Sequence, residues 1–451
     1  MNVMTNAAAL TRYATLAPHR NYPPEVMLAA KKSLIDWLGV CIGARGEAPA
    51  VVTSEVARSW QTAGRAPLLT GGLAAAPLAA LVNGTLSHCL DYDDTHVGAV
   101  FHASGPIWAA ALAVAAEQSN VSETLLLSAV ISGFECGVRL GRNGLGVRLN
   151  GSGWHTTGVI GVVACALTSA ILMSLSDEQA EQAMAIAASQ ASGLVASFGT
   201  MVKPLHPGKA AMDGVMSAQL AAAGLTGAPG LFDTPDGLLP TLLQDKQAVP
   251  VLQEEDSDWE ILRNSFKPYS ACQLTHAAID CALELAPQLD GAPVEQIRAR
   301  VHPLAIKIAG ILDPKTPTEG RFSLPFCIAL GLKAHLASPD DFTPERIADS
   351  DLRALAERVV LVSDPLMERV GTKLEIDLID GNTLQSYVSH ALGNPENPME
   401  LPALQTKFLA LVQPVLGAKA DELVALCSQF EEPGSLQRLL AVLADLPEIK
   451  Q

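Results

Sequence analysis

The chain has 451 residues, of which 49% are hydrophobic and only 4% aromatic. This length predicts two or three domains with a large core, and a core that draws mainly on Ala, Leu, Val and Ile favours close-packed helices. The formal net charge of -17 argues against nucleic acids and anionic membrane surfaces as partners. An anionic substrate would therefore require a site that is locally basic.

The eight cysteines show no CxxC pair and no disulfide-like spacing, and no signal peptide precedes them. We therefore expect a reducing, cytoplasmic location. Cys272 lies close in sequence to Lys267 and Tyr269, which leaves a catalytic thiol as an alternative. A free cysteine is more often a small buried hydrophobe, and Cys272 is interpreted in that way.

Apolar residues at helical spacing dominate the sequence as far as Leu225. The clearest helices are predicted from an entry at Pro23 and Pro24 to an end at Gly43 and Gly46, from Leu78 to Leu86, near 105–118, near 122–142, and from the capping box Ser176–Gln179 to about Ser192. The uncharged segment 157–175 is about long enough to span a bilayer. It has no flanking Lys or Arg, so we expect a buried helix and no membrane association. Residues 227–250 are predicted to form a loop with little helix.

The pattern changes after about residue 260. Strands are predicted at 296–302 and 358–363, a helix at 321–337, and a β-hairpin at 373–379 and 383–390 around the turn Asp380-Gly-Asn382. The last sixty or so residues return to helical spacing. We therefore expect a mainly α protein, with a large all-helical domain at 1–262, a smaller α+β domain at 263–398, and C-terminal helices at 399–451 that pack back on the helical domain.

The stretch from Ser197 to Asp213 runs from a glycine-broken loop through two prolines into an Ala-rich helical pattern. Lys203, His206 and Lys209 are therefore predicted at or just before the amino end of a helix. Unpaired N–H groups and the helix dipole favour an anion at such a place. The alternative is a capped helix whose lysines are solvated.

The same arrangement recurs at four other places, where His102, His155, Lys267 and Arg321 each precede a helical pattern. One cationic or titratable group beside a helix start is unremarkable. Five of them suggest a shared anionic ligand, and a small acid fits better than a nucleic acid.

The second dense group of polar residues is His88-Cys-Leu-Asp-Tyr-Asp-Asp-Thr-His96, followed by His102. Carboxylates beside histidines could form acid/base machinery, an Mg²⁺ site, or a solvated loop. The Mg²⁺ interpretation needs a second acidic motif on a facing helix, and we find no convincing one. Acid/base chemistry fits better, and Asp93 and Asp94 are not expected to be equally buried and equally ionised.

Six ordered motifs together resemble the MmgE/PrpD family, which includes 2-methylcitrate dehydratase, cis-aconitate decarboxylase and iminodisuccinate epimerase. They are His88-x-x-Asp91-Tyr-Asp-Asp-Thr95, His102-x-Ser-Gly105, Gly133-Phe-Glu135, Trp154-His155-x-Thr-Gly158, Lys203-Pro-Leu-His206-x-Gly208-x-Ala-Ala211, and Lys267-x-Tyr-x-x-Cys272-x-x-x-His276. The resemblance spans nearly the whole chain. It implies a homodimer without metal or organic cofactor that acts on a di- or tricarboxylate, with site positions at Asp91, Thr95, His102, His155, Lys203 and Lys267.

The sequence departs from the family pattern at three places. The loop between Thr95 and His102 is about a residue longer than expected, Ser270 stands where a proline is usual, and Phe326 stands where a tyrosine is expected. The third departure puts any step that needs a phenol at this position in doubt.

We interpret Lys203 and Lys267 as ligands of the substrate carboxylates, and His102 and His155 as the proton-transfer pair, with Asp91 orienting one of them. Further substrate-binding positions are Thr95, Asp93, His206, Lys209, Tyr269 and Arg321. The favoured reaction is that of a hydro-lyase on 2-methylcitrate or a citrate-like acid. An epimerase or isomerase of an imino- or amino-dicarboxylate comes second, and a cis-aconitate-type decarboxylase and a non-catalytic carboxylate-binding paralogue stay open.

Overall fold

The computed structural model describes residues 5–228, 230–248 and 258–449. Positions 229 and 249–250 of the predicted 227–250 loop lie outside this part of the chain. The protein divides into two compact units. The helical unit comprises Met1–Cys89, Asp93–Asn264 and Glu400–Gln451, and the mixed unit comprises Leu90–Tyr92 and Ser265–Met399.

Eleven helices are described in the helical unit before residue 264. They are α1 Asn6–Thr15, α2 Pro24–Gly43, α3 Ala48–Ser59, α4 Ala76–Leu86, α5 Ser104–Glu117, α6 Glu123–Gly141, α7 Leu145–Gly151, α8 Thr156–Leu172, α9 Asp177–Ala188, α10 Val202–Ala222 and α11 Leu238–Leu243. The sequence did not indicate α3, nor the short antiparallel pair β1 Ala66–Pro67 and β2 Leu73–Ala74. A two-residue strand carries too little alternation to be recognised from sequence.

The predicted capping box at Ser176 is confirmed. The Ser176 hydroxyl accepts a hydrogen bond from the backbone N–H of Gln179 at 3.2 Å, and the Gln179 side chain accepts one from the backbone N–H of Ser176 at 3.1 Å. These two bonds satisfy donors that have no partner within the helix, and they start α9 where the sequence indicates.

The core of the helical unit surrounds α8, whose side chains are all buried. Among the described helices, α6 alone is long and apolar enough to cross a membrane. Of its most apolar stretch of 18 residues, 89% is buried inside the protein. Such burial is typical of a core helix in a soluble protein. The segment predicted to be a buried central helix, 157–175, therefore forms one as α8.

Two glycines allow α4 and α10 to approach closely. A Cβ atom on Gly84 would lie 2.8 Å from the Cα atom of Gly208, and a Cβ atom on Gly208 would lie 2.3 Å from the carbonyl oxygen of Leu81. No side chain fits at either distance. This contact sets the first turns of α10 against the carboxyl end of α4, from which the chain continues to His88.

The mixed unit contains six helices and a four-stranded sheet among its described residues. They are α12 His276–Leu289, β3 Val294–Val301, α13 Pro303–Ala309, α14 Pro317–Gly320, α15 Leu324–Leu332, α16 Pro344–Ile347, α17 Ser350–Ala356, β4 Val359–Ser363, β5 Thr372–Leu378 and β6 Thr383–Val388. The sheet order is β4-β3-β5-β6, with β3 parallel to β4 and antiparallel to β5. The predicted hairpin is confirmed as β5 and β6.

The helix predicted at 321–337 is shorter than expected. Ser323 caps α15 by accepting a hydrogen bond from the N–H of Phe326 at 3.2 Å, and α15 ends at Leu332. Ala334 and Ala337 then have positive φ angles of 60° and 47°, which are incompatible with a continuing helix.

The C-terminal helices α18 Leu401–Leu416, α19 Lys419–Ser428 and α20 Ser435–Ala444 belong to the helical unit. Helix α18 packs on α2, where the buried Lys407 ammonium lies 2.6 Å from the Asp36 carboxylate. A mainly helical unit with a smaller mixed unit confirms the fold class expected from the sequence.

Candidate active site

The polar segment after α4 folds around one carboxylate of the helical unit. The Asp93 Oδ2 atom lies 2.7 Å from the His88 Nδ1 atom and 3.2 Å from the His102 Nδ1 atom. The two imidazole rings meet edge to face, with their centroids 4.6 Å apart. Two histidines that are 14 positions apart in the sequence (102 minus 88) therefore share one carboxylate oxygen.

The partners of His102 determine its tautomer. Its Nδ1 atom lies 2.9 Å from the carbonyl oxygen of Asp94 and 3.0 Å from the Thr95 hydroxyl. A backbone carbonyl only accepts hydrogen bonds, so Nδ1 carries the proton and Nε2 keeps a lone pair. His102 is thereby prepared to accept a proton through Nε2.

Asp93 and Asp94 are adjacent, and both are buried, but their surroundings differ. Burial disfavours the charged form of Asp93, yet His88 and His102 together hold the pKa of its carboxyl well below the usual range. Asp94 accepts hydrogen bonds from Ser104 and Asn264 instead. Burial and the nearby charge of Asp36 raise the pKa of Asp94 to about 7. The two carboxyls are therefore equally buried, and they differ in the direction in which their pKa values are shifted.

A second pair of histidines joins the starts of α8 and α10. His155 is the N-cap residue of α8, and His206 lies in the second turn of α10. Their Nδ1 atoms are 2.8 Å apart. The Phe198 ring packs edge-on against His155 with centroids 4.9 Å apart, and the Lys203 ammonium lies 5.5 Å from the centre of the Phe198 ring.

Three of these histidines are held in the neutral form. Burial, with the charges of Lys203 and His102, lowers the pKa of His88 to about 3 despite the neighbouring Asp93 carboxylate. Burial, with the charges of Lys203 and Lys209, lowers the pKa of His206 to about 4. The pKa of His155 is also well below the usual range, first because of burial and then because of the neighbouring histidines and Lys203. Burial, the largest cause, disfavours any charge, but the Lys203 charge that also lowers these pKa values is one that attracts a carboxylate.

Lys209 does not occupy the position that the sequence predicts. Because α10 begins at Val202, Lys209 lies about two turns inside the helix rather than at its start. Its ammonium forms an ion pair with Asp213 and also donates to the carbonyl oxygen of Gln190 at 3.3 Å. Lys203, in contrast, lies in the first turn and is buried, as the sequence indicates.

The mixed unit brings together two other predicted site residues. The buried Lys267 ammonium donates to the backbone oxygen of Asp91 at 2.9 Å and lies 3.3 Å from its Oδ1 atom. The φ angle of Asp91 is 48°, a left-handed conformation that is uncommon outside glycine. Lys267 is separated from α12 by the 3-10 turn Gln273–Thr275, so its prediction next to a helix start is wrong.

Three further positions of interest have partners or packing within the mixed unit. The Tyr269 hydroxyl donates to the Asp280 carboxylate, and the buried Arg321 guanidinium lies 5.6 Å from the centre of the Phe342 ring. Phe326 is 1% exposed and belongs to the hydrophobic core of this unit. The expected tyrosine would therefore stand at a core position.

His88, Phe198 and Asn264 are site residues for which the sequence indicates no role. His88 stands in the first motif, and its spacing to Asp93 was visible, but nothing in the sequence shows which carboxylate it binds. Phe198 and Asn264 lie in loops without a local pattern. Buried neutral histidines with carboxylate and carbonyl partners are typical of an enzyme that uses acid/base chemistry.

Comparison with known proteins identifies the family. The family model of the MmgE/PrpD N-terminal domain matches residues 8–250, and that of the MmgE/PrpD C-terminal domain matches residues 269–429. The chain therefore belongs to the MmgE/PrpD family, whose members are enzymes. The resemblance noted in the sequence is confirmed.

Curated relatives cover most of the chain at low identity. The cis-aconitate decarboxylase of Aspergillus terreus is 25% identical over 435 residues, which cover 89% of this chain and 87% of that protein. The cis-aconitate decarboxylases of Mus musculus and Homo sapiens are both 25% identical, over 390 and 375 residues. These alignments cover 80% and 78% of this chain and 78% and 76% of the two relatives.

Proposed function

We propose that the protein is a lyase that acts on a di- or tricarboxylic acid by proton transfer at a carbon beside a carboxylate, without a metal or organic cofactor. The observation that carries this proposal is the geometry of His102. Its Nδ1 atom donates to the Asp94 carbonyl oxygen at 2.9 Å, so in the neutral ring the lone pair lies on Nε2, where it can accept a proton. Membership of a family of enzymes supports a catalytic role.

The chemical problem in such a reaction is the negative charge that develops when a proton or CO₂ leaves a carbon next to a carboxylate. A preorganised cation and a helix amino terminus lower this barrier because they require no reorganisation during the reaction. Lys203 and the start of α8, directly after His155, are the groups of the helical unit suited to this role. The mixed unit contains a buried cation of its own, Lys267, which lies 3.3 Å from the Asp91 carboxylate.

The second proton-transfer group is the pair formed by His155 and His206. As neutral imidazoles they are poor acids, so one of them must gain a proton before it can protonate a leaving hydroxyl. A bound substrate carboxylate offsets the charge of Lys203 and thereby favours this protonation. His102 then removes the proton next to the carboxylate, and the His155–His206 pair returns one to the substrate.

The first specific reaction that we propose is dehydration of 2-methylcitrate or a citrate-like acid. Decarboxylation of cis-aconitate is the second, because three relatives that cover most of the chain are named cis-aconitate decarboxylases. Both reactions pass through a carboxylate-stabilised carbanion, but they form it differently. In dehydration His102 removes a proton from the carbon, and the hydroxyl leaves as water once the His155–His206 pair has protonated it. In decarboxylation the departure of CO₂ leaves its electron pair on the carbon, no proton is removed, and a protonated histidine of the site supplies the proton that replaces CO₂.

Proton NMR of the metal-stripped enzyme in D₂O distinguishes these reactions. The panel contains 2-methylcitrate, citrate, cis-aconitate and iminodisuccinate. Formation of an alkene from a hydroxy acid supports the dehydratase, and loss of CO₂ from cis-aconitate supports the decarboxylase. Deuterium incorporation next to the carboxylate of iminodisuccinate, without loss of water or CO₂, would replace the lyase proposal by an epimerase. If none of the four acids reacts, these specific reactions are contradicted.

A further inference from the structure

Asp93 is placed between two imidazoles rather than towards open space. Its side chain is 3% exposed, and its Oδ2 atom contacts both His88 and His102 through their Nδ1 atoms. From the sequence, Asp93 was expected to bind substrate. Its geometry instead resembles that of a carboxylate that orients histidines in an enzyme site.

The contact with Asp93 determines the tautomer of His88 as well. An ionised carboxylate only accepts hydrogen bonds, so His88 carries its proton on Nδ1. The Nε2 atom of His88 is buried and has no hydrogen-bond partner among the described residues. An unpartnered lone pair in a buried ring costs free energy unless a ligand or water donates a hydrogen bond to it.

We propose that Asp93 is a positioning residue that orients the rings of both His88 and His102. It fixes the tautomer of His88, and it acts together with the Asp94 carbonyl oxygen on His102, so that the lone pair of each neutral ring lies on Nε2. In the protonated state of His102, the Asp93 charge stabilises the imidazolium. This orienting role does not depend on which reaction the protein catalyses. The catalytic consequence rests on the proposed function, in which His102 is the base.

Other groups around this cluster oppose the stabilisation of a positively charged ring by Asp93. Burial and the Lys203 ammonium oppose a positive charge in the region. Asp94, the adjacent carboxyl, is occupied by Ser104 and Asn264 and contacts His102 only through its backbone oxygen. Asp93 is therefore the carboxylate of the helical unit that directly contacts both rings, and Asp94 offers a matched control.

The orientation is tested by NMR of the full-length, substrate-free protein labelled with ¹⁵N-histidine. His88→Gln and His102→Gln assign the signals. In the wild type we expect both Nδ1 atoms to be protonated and both Nε2 atoms to be bare at neutral pH. The Nδ1–H proton of His88 should lie downfield, because it bonds to a charged acceptor. A protonated Nε2 on either ring in the wild type overturns the proposal, whether or not any variant folds.

Two matched variants distinguish the effect of the Asp93 carboxylate from that of Asp94. Asp93→Asn should move the His88 Nδ1–H proton upfield, because a neutral amide is a weaker acceptor, whereas Asp94→Asn should leave it in place. If Asp93→Asn leaves the histidine signals unchanged, or if Asp94→Asn shifts them equally, Asp93 does not orient these rings. Circular dichroism of both variants checks that the fold is retained.

Kinetics test the catalytic consequence on whichever acid the panel identifies. Asp93→Asn should lower kcat by about 10²-fold or more and leave KM within a few-fold. The acid limb of its pH–rate profile should move to lower pH, because the imidazolium is less stabilised. A raised KM with unchanged kcat would instead assign Asp93 to substrate binding. If no acid turns over, the proposed function fails while the NMR result still decides the positioning role.

Discussion

The Nδ1 atom of His155 lies 2.8 Å from the Nδ1 atom of His206, and both rings are buried. At this distance one nitrogen donates and the other accepts, so the pair shares one proton at this contact. Burial and the charge of Lys203 lower the pKa of both rings. The free protein therefore holds a pair of neutral histidines, and a bound anion can favour protonation of one of them.

Carboxylate binding is expected to be coupled to proton uptake. The pKa of His206 is about 4 in the free protein, so it is unprotonated near neutral pH. A carboxylate beside Lys203 removes part of the opposing potential and raises this pKa. Tricarballylate, which has no hydroxyl group to lose, should therefore bind more tightly as the pH falls from about 8 to about 6.

Isothermal titration calorimetry of tricarballylate in buffers with different ionisation enthalpies measures this uptake directly. The observed enthalpy should depend on the buffer in the direction of proton gain by the complex. Equal enthalpies in all buffers would show that no histidine gains a proton when tricarballylate binds.

Removing the ionisable group at Asp94 should stabilise the protein at alkaline pH. The pKa of Asp94 is raised from 3.8 to about 7, so its contribution to stability is present below the lower value and is lost as the pH rises through about 7. Asp94→Asn cannot ionise, and its amide oxygen can still accept from Ser104 and Asn264. Its free energy of unfolding relative to the wild type should increase between about pH 4 and about pH 7, by up to about 4 kcal/mol.

Denaturant unfolding of both proteins across this pH range tests the prediction for Asp94. The difference in the free energy of unfolding between the two should be constant if the Asp94 carboxyl has an ordinary pKa. A constant difference from about pH 5 to about pH 8 would therefore contradict the assignment.

Closing the gap between α4 and α10 should destabilise the protein and displace Lys203 and His206. In Gly84→Ala the new Cβ atom would lie 2.8 Å from the Cα atom of Gly208, so two backbones must separate. We expect a loss of about 1–3 kcal/mol in the free energy of unfolding. Gly46→Ala is the matched control, because a Cβ atom there has no neighbour within 4 Å, and a change within about 0.5 kcal/mol is expected.

Thermal and denaturant melts of the two glycine variants measure these changes. Equal stability of Gly84→Ala and Gly46→Ala would mean that the helices adjust freely. In that case the close approach of α4 and α10 would not determine the position of the first turns of α10.

Removal of divalent metal ions should leave the activity unchanged. The proposed reaction uses His102 and the His155–His206 pair for proton transfer and Lys203 for charge stabilisation. Turnover before and after treatment with EDTA, measured on the same preparation, tests this expectation. Loss of activity with EDTA and its recovery with Mg²⁺ would revive the metal-site interpretation of the Asp91–Asp94 motif.

Local sequence signals predicted much of the fold. The capping box at Ser176 and the β5–β6 hairpin depend on residues only a few positions apart, and both are confirmed. Helix α2 begins at the predicted proline entry and ends at Gly43, the first of the two glycines expected to end it. The end of α15 was mispredicted, because the backbone after Leu332 turns into left-handed conformations at Ala334 and Ala337, which the apolar pattern does not reveal.

The pairings within the site could not be derived in this way. The sequence places Asp91, Asp93 and Asp94 side by side, but the fold directs them to different partners. Asp93 binds two histidines, Asp94 binds Ser104 and Asn264, and Asp91 belongs to the mixed unit with Lys267. The contact between His155 and His206 joins two helix starts that are 51 residues apart. Such contacts depend on tertiary packing rather than on local spacing.

The most direct test of the central claim compares the wild type with His102→Gln in D₂O, on the acid that the wild type converts fastest. Proton NMR follows product formation and deuterium incorporation next to the carboxylate, and circular dichroism checks the fold. If His102 is the base, the variant should lose both signals by about 10²-fold or more. A folded His102→Gln protein with the turnover and deuterium incorporation of the wild type would contradict the account.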